Sequence, residues 1–183
     1  STDIVTTAGT LKSAQTSTSA VWNPITSRAY VFGGVAIGGS ASDDIDEYDP
    51  VTKTTVIRSE KLPTTRIGTS AIWNPVTSKV YIFGAIPVPA AKQILEYDAS
   101  TMTVAVRPET LPGGVYQDGA AYGHSGKVYI FGPKDTNNSS YTNNIFEFVP
   151  CTVVPPPPPL SELISCWSVG SATIRPETLP GTT

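Results

Sequence analysis

The sequence predicts an all-β chain built from small antiparallel sheets that repeat. Three observations predict it. A fifteen-residue stretch recurs: residues 18–32 read Thr-Ser-Ala-Val-Trp-Asn-Pro-Ile-Thr-Ser-Arg-Ala-Tyr-Val-Phe, and 69–83 read Thr-Ser-Ala-Ile-Trp-Asn-Pro-Val-Thr-Ser-Lys-Val-Tyr-Ile-Phe. A looser third copy runs through Gly119-Ala120-Ala121-Tyr122 and Lys127-Val128-Tyr129-Ile130-Phe131. The apolar runs are short, β-branched and aromatic, which suits strands rather than helices. The spacing is close to fifty: Trp22 to Trp73 is 51 and Phe83 to Phe131 is 48.

Within each copy the elements follow in order. Ala71-Ile72-Trp73 and Val80-Tyr81-Ile82-Phe83 are two strands. Asn74-Pro75 between them makes a turn, because Pro presets φ and Asn bonds the following backbone. Gly33, Gly84 and Gly132 close the hairpins, where φ > 0 lets the chain bend away. A variable loop leads to a third strand of the form Ile-x-Glu-aromatic, at Ile45-Asp46-Glu47-Tyr48, Ile94-Leu95-Glu96-Tyr97 and Ile145-Phe146-Glu147-Phe148. A fourth strand follows at Thr55-Val56-Ile57-Arg58 and Val104-Ala105-Val106-Arg107, each leading to Leu-Pro. Four-stranded repeats of about 40–50 residues read as β-propeller blades.

The chain resembles the kelch repeat family over about residues 11–148. The residues that carry this are Tyr30-Val31-Phe32-Gly33-Gly34, Tyr48-Asp49-Pro50-Val51-Thr52, and Leu62-Pro63-Thr64-Thr65-Arg66-Ile67-Gly68-Thr69. The resemblance implies kelch-like blades of four antiparallel strands. It departs at Gly84-Ala85 and Gly132-Pro133, where the double Gly is lost, and at Thr55 and Val104, near the place of the usual fourth-strand Trp.

Residues 1–18 read as an outer strand (Asp3-Ile4-Val5-Thr6) of an otherwise missing blade, with a linker. Residues 19–148 hold blades one to three, 149–171 a Pro-rich insertion or linker, and 172–183 a terminal outer strand. That strand is announced by Thr173-Ile174-Arg175-Pro176-Glu177, a near copy of Val106-Arg107-Pro108-Glu109 with its neighbours. The prolines 155–159 favour a polyproline II spacer or surface loop, the sharper alternative being a docking ligand. About three blades leave the ring incomplete within this chain, since propellers carry four to eight. Protein partners or copies of the chain itself are then expected to complete the ring or a fibre.

Composition excludes several classes. Charged residues are 15% of the 183, below the usual quarter, and basic residues do not cluster, so no nucleic-acid footprint is expected. No stretch approaches the ~20 apolar residues of a membrane helix. Cys151 and Cys166 flank the prolines and are candidates for a disulfide, two buried thiols being the alternative. Asn137 and Asn138 begin overlapping Asn-x-Ser sequons and are glycosylation candidates. With low charge and abundant Ser and Thr, these features point to an extracellular or cell-surface setting; a cytoplasmic setting is the alternative.

No catalytic, cofactor or metal residue stands out. His124, the single histidine, falls in a turn, and no motif marks triad partners for it. Asp43 and Asp44 are weak candidates for a Ca²⁺ loop. Glu47, Glu96 and Glu147 recur at one strand position, which favours structure over catalysis. Arg58, Arg107 and Arg175, each followed by Glu60, Glu109 or Glu177, are expected to pair along an outer strand. Trp22, Trp73 and Tyr122 are expected in the core of successive blades rather than on a sugar-stacking surface. The expected function is a non-enzymatic kelch-like propeller module for protein interaction or structural assembly. The alternatives are part of a carbohydrate-binding or carbohydrate-active propeller, with glycans as partners, and a cytoplasmic kelch adaptor.

Overall fold

In the computed structural model the runs of each repeat pair, in chain order, into one antiparallel sheet. The structure describes residues 4–86, 90–116, 119–123, 126–131 and 143–150, and the backbone of 173–175. Strands β1 (Gln15–Thr16) and β4 (Val35–Ala36) form a small two-stranded pair. The first four-stranded sheet is ordered β2 (Ser19–Asn23), β3 (Arg28–Phe32), β5 (Ile45–Asp49), β6 (Thr54–Ile57). The second is β7 (Ser70–Asn74), β8 (Lys79–Phe83), β9 (Gln93–Asp98), β10 (Thr103–Thr110). The third is β11 (Gly119–Tyr122), β12 (Val128–Phe131), β13 (Ile145–Phe148), β14 (Thr173–Arg175). All ladders are antiparallel. The described residues hold no α-helix; one 3-10 turn, Ala90–Lys92, fills the variable slot of the second repeat.

Register is the same in each sheet. Val21, Tyr30, Glu47 and Val56 stand in one cross-strand row, and Ile72, Tyr81, Glu96 and Ala105 in the equivalent row. The third sheet repeats it with Ala121, Tyr129, Glu147 and Thr173. Side chains alternate across a strand, so each sheet has a front face carrying this row and a back face carrying the next one. Sheets pack front to back. Tyr30, Phe32 and Ile45 on the first front face meet Val80, Ile82, Leu95 and Tyr97 on the second back face. Tyr81, Phe83 and Ile94 on the second front face meet Val128, Ile130, Phe146 and Phe148 of the third sheet. Tyr97 and Phe148 each sit edge-on to an aromatic pair, at 5.3 and 5.6 Å for Tyr97 and 5.2 and 5.8 Å for Phe148. A central sheet covered on both faces explains why its strands read as continuous apolar runs. The first strands of adjacent sheets lie side by side, whereas the fourth strands β6 and β10 do not.

The turns follow from their sequences. Asn23 Oδ1 accepts from the N–H of Ile25 and Thr26, at 2.9 and 3.3 Å, and Asn74 Oδ1 accepts from Val76 and Thr77 at the same distances. Asp49 and Asp98 do the same in the second hairpin of each repeat. All four turns end on a left-handed residue: Ser27, Lys53, Ser78 and Met102 have φ of 52–56°. Hairpins of this length commonly join a type I turn to such a residue. Gly33 and Gly84 have φ of 59° and 69°, and a Cβ there would sit 2.5 Å from the Arg66 carbonyl and 2.7 Å from the Val115 carbonyl. These glycines are therefore demanded twice, by backbone conformation and by space.

Two readings change. Residues 4–14 carry no strand, and Ile4 and Val5 are 81% and 98% exposed, so the outer strand expected at 3–6 is not formed at its described positions. The slot after Gly33, expected as variable loop alone, pairs β4 with β1. His124, Asn137, Asn138, Cys151, Cys166 and the prolines 155–159 lie outside the described residues.

Candidate functional site

The residues with chemistry separate once the strands alternate. Asp43, Asp44, Asp46 and Glu47 do not form one acidic pocket. Asp44 is paired with Lys61. Glu47 points to the front face, where Arg28 and Arg58 pair with it at 3.8 and 3.1 Å. Asp46 points to the back, is 2% exposed, and accepts from Gln15 Nε2 at 2.9 Å. Burial pushes the Asp46 carboxyl up, against the Gln15 bond, and neighbouring Asp44 adds to the rise. Among the described residues no group of three or more His, Cys, Asp or Glu is placed to hold a metal.

The expected Arg–Glu pairing on the outer strand is present, and it reaches further inward. Arg58 joins Glu60 at 3.0 Å as well as Glu47. Arg107 joins Glu109 and Glu96, both at 2.9 Å. Glu60 also accepts from Tyr97 Oη of the next sheet, at 2.9 Å. Burial, then Glu60, raises the Tyr97 hydroxyl far above its ordinary value, so it stays a donor. Arg58 thus ties the third strand to the linker beyond the fourth, which Glu60 in turn joins to the next sheet, and Arg107 ties the third strand to the end of the fourth.

Arg66 was quoted above only as part of a repeat motif, and its role was not legible there. It is fully buried between sheets. Its guanidinium donates to the carbonyls of Gly84 and Ala90, each at 3.2 Å, and to Gln93. Its own carbonyl accepts from Gly34 N–H at 2.7 Å. Burial lowers its pKa from the ordinary guanidinium value to about 10. It holds backbone that has no ladder partner, which is a scaffold role.

What remains unspent is the pair of faces at the two ends of the row of sheets. Trp22, Trp73 and Tyr122 do hold equivalent register positions, opposite Ala29, Val80 and Val128. Of the three only Trp73, partly buried, packs against the core; Trp22 is 48% exposed and Tyr122 is 37% exposed. The expectation of a core Trp22 fails because, among the described residues, no sheet lies against the back of the first sheet. Ile57 on the same face is 45% exposed, but so is its equivalent Val106 at 47% on the covered second sheet, so Trp22 and not Ile57 marks the open face. At the other end, Phe131 is 37% exposed and Ile145 is half-buried, whereas their register equivalents Phe32, Phe83, Ile45 and Ile94 are fully buried. No pattern in the sequence marks these faces, since the copies of Phe131 and Ile145 are fully buried and that of Trp22 packs against the core.

No protein-family model matches the chain, and no curated protein matches it. The solved structure described as "Structure of YjhT" is similar to it, with a TM-score of 0.67 and 13% identity. The match covers 96% of this chain and 55% of that one, so this chain spans about half the length of that structure. At that identity the likeness is one of fold.

Proposed function

We propose that the chain is a run of kelch-like propeller blades that serves as a non-enzymatic module for protein interaction or structural assembly. The carrying observation is the pair of end faces that no described sheet covers, one centred on Trp22, whose copy Trp73 packs against the core, and one on Phe131, whose copies Phe32 and Phe83 are fully buried. Apolar sheet faces of this kind are sites of association. Two further observations support the propeller arrangement. First strands of adjacent sheets lie side by side while the fourth strands splay, as in blades around an axis. Ser19 Oγ and Thr69 Oγ1 bond at 2.7 Å, linking the first-strand ends of two sheets. Among the described residues no helix is long and apolar enough to cross a membrane.

A photo-crosslinking phenylalanine analogue at position 131, and another at position 22, test the proposal. Adducts to protein are expected at both positions. Irradiation that leaves the chain unmodified, in pure solution and in an extract of its source, refutes it. The proposed setting is outside the cell or on its surface. A glycan mass shift at Asn137 or Asn138 supports that setting, and its absence from protein made by a glycosylating host favours the cytoplasmic adaptor. One observation favours the carbohydrate alternative: the half-exposed Trp22 indole offers a face on which a sugar ring could stack. Glycan-array binding that disappears in Trp22→Ala would select it.

A further inference from the structure

The molecule shows twice what covers a front face, namely the back face of another sheet of the same repeat. Phe32 and Ile45 are covered by the second sheet, and Phe83 and Ile94 by the third. The third front face carries the same pair, Phe131 and Ile145, and among the described residues no sheet lies across it. The surface that would fit it is present in the same chain. The back row of the second sheet, Trp73–Val80–Tyr97–Val104, has its counterpart in Trp22–Ala29–Tyr48–Thr55 of the first.

The first back face is also already dressed as an inter-sheet interface. The linker between the first and second sheets lies on the second back face, with Glu60 accepting from Tyr97 Oη and Ile67 bridged to Ile86. The N-terminal segment takes the same place on the first. Ala8 carbonyl accepts from Tyr48 Oη at 2.7 Å, and Thr16 pairs with Val35. These positions are offset from their counterparts by about one repeat, so the segment occupies the place that an inter-sheet linker takes on the second sheet. The chain spans 55% of a solved structure of the same fold, and two copies amount to about its whole length.

We propose that the front of the third sheet, at Phe131 and Ile145, is covered by the back of the first sheet, at Trp22, of a second copy of this chain. Two such head-to-tail contacts close two copies into a ring of six four-stranded sheets. This rests on the propeller reading above. Heterologous contacts either close or run on into filaments, and a ring of six lies within the usual four to eight.

Native mass spectrometry and sedimentation of the purified 183-residue chain test it. The expected mass is twice 19.3 kDa, about 38.6 kDa. Trp22→Asp and Phe131→Asp should each give monomers with unchanged circular dichroism, because both side chains are well exposed in the single chain. Mixing the two variants should restore a heterodimer, since one intact face of each still meets the other. A symmetric face-to-face dimer gives no such rescue and would overturn the proposal. So would a folded 19.3 kDa monomer or an open filament. Should either variant fail to fold, the mass of the unaltered chain decides alone. A monomer whose position 131 crosslinks to a different protein ends the second-copy proposal and leaves the interaction reading standing.

Discussion

Asn23 and Asn74 are matched positions that isolate one bond between sheets. Both side chains are buried, and both accept two turn N–H groups at the same distances. Asn74 alone also donates, through Nδ2, to the buried Gly126 carbonyl of the third repeat at 3.0 Å. Removing two accepted bonds costs about 1 kcal/mol each, so Asn23→Ala should lose roughly 2 kcal/mol. Asn74→Ala loses the same and leaves the Gly126 carbonyl unpaired, which adds about 1–3 kcal/mol. The expected total is about 3–5 kcal/mol, and the difference between the variants reports the third sheet's attachment to the second. Urea unfolding followed by tryptophan fluorescence measures it, with m checked for constancy. In a domain of this size each kcal/mol is about 2–4 °C in Tm, so the two variants should differ by several degrees. Equal losses at the two positions would refute the argument, and a larger loss at Asn23 would reverse it.

Other outcomes follow from the same geometry. Tyr30, Tyr81 and Tyr97 are raised above 10.0, chiefly by burial. The unfolded chain ionises first, so their contribution is full below pH ~10 and falls as pH rises beyond it; Tm should decline steeply between pH 10 and 11.5, and a flat profile would contradict their burial. Asp98 is held below the usual carboxylate range because Lys79 and Ser100 outweigh the burial that opposes them. Its contribution is present above pH ~4 and lost as pH falls, so Lys79→Met should flatten the acid limb of the Tm profile. Met102, exposed with φ of 56°, should gain stability on change to Gly, by about 0.5 kcal/mol or 1–2 °C. Arg107→Met should cost about 1–2 kcal/mol, because two half-buried carboxylates lose their partner, whereas the exposed Lys61→Met should cost under about 0.5 kcal/mol.

The amino-acid sequence alone determined the local structure. Short β-branched and aromatic runs bounded by turns that open on Asn or Asp pair most readily as adjacent antiparallel strands, and a fifty-residue repeat makes each sheet a copy of the last. The Asx bonds at Asn23 and Asn74, the bend at Gly33 and the Arg–Glu pairing are near-neighbour effects, and near-neighbour effects are written in spacing. Burial was another matter. Trp22 and Trp73 stand in almost identical words, yet one is half-exposed and the other packs against the core. Phe83 and Phe131 differ in the same way. Whether a face is covered depends on which sheet lies across from it, a full repeat away in the chain, and no local pattern encodes that. The buried hold of Arg66 on Gly84 and Ala90 also joins segments distant in sequence, and it became visible only once the sheets were stacked.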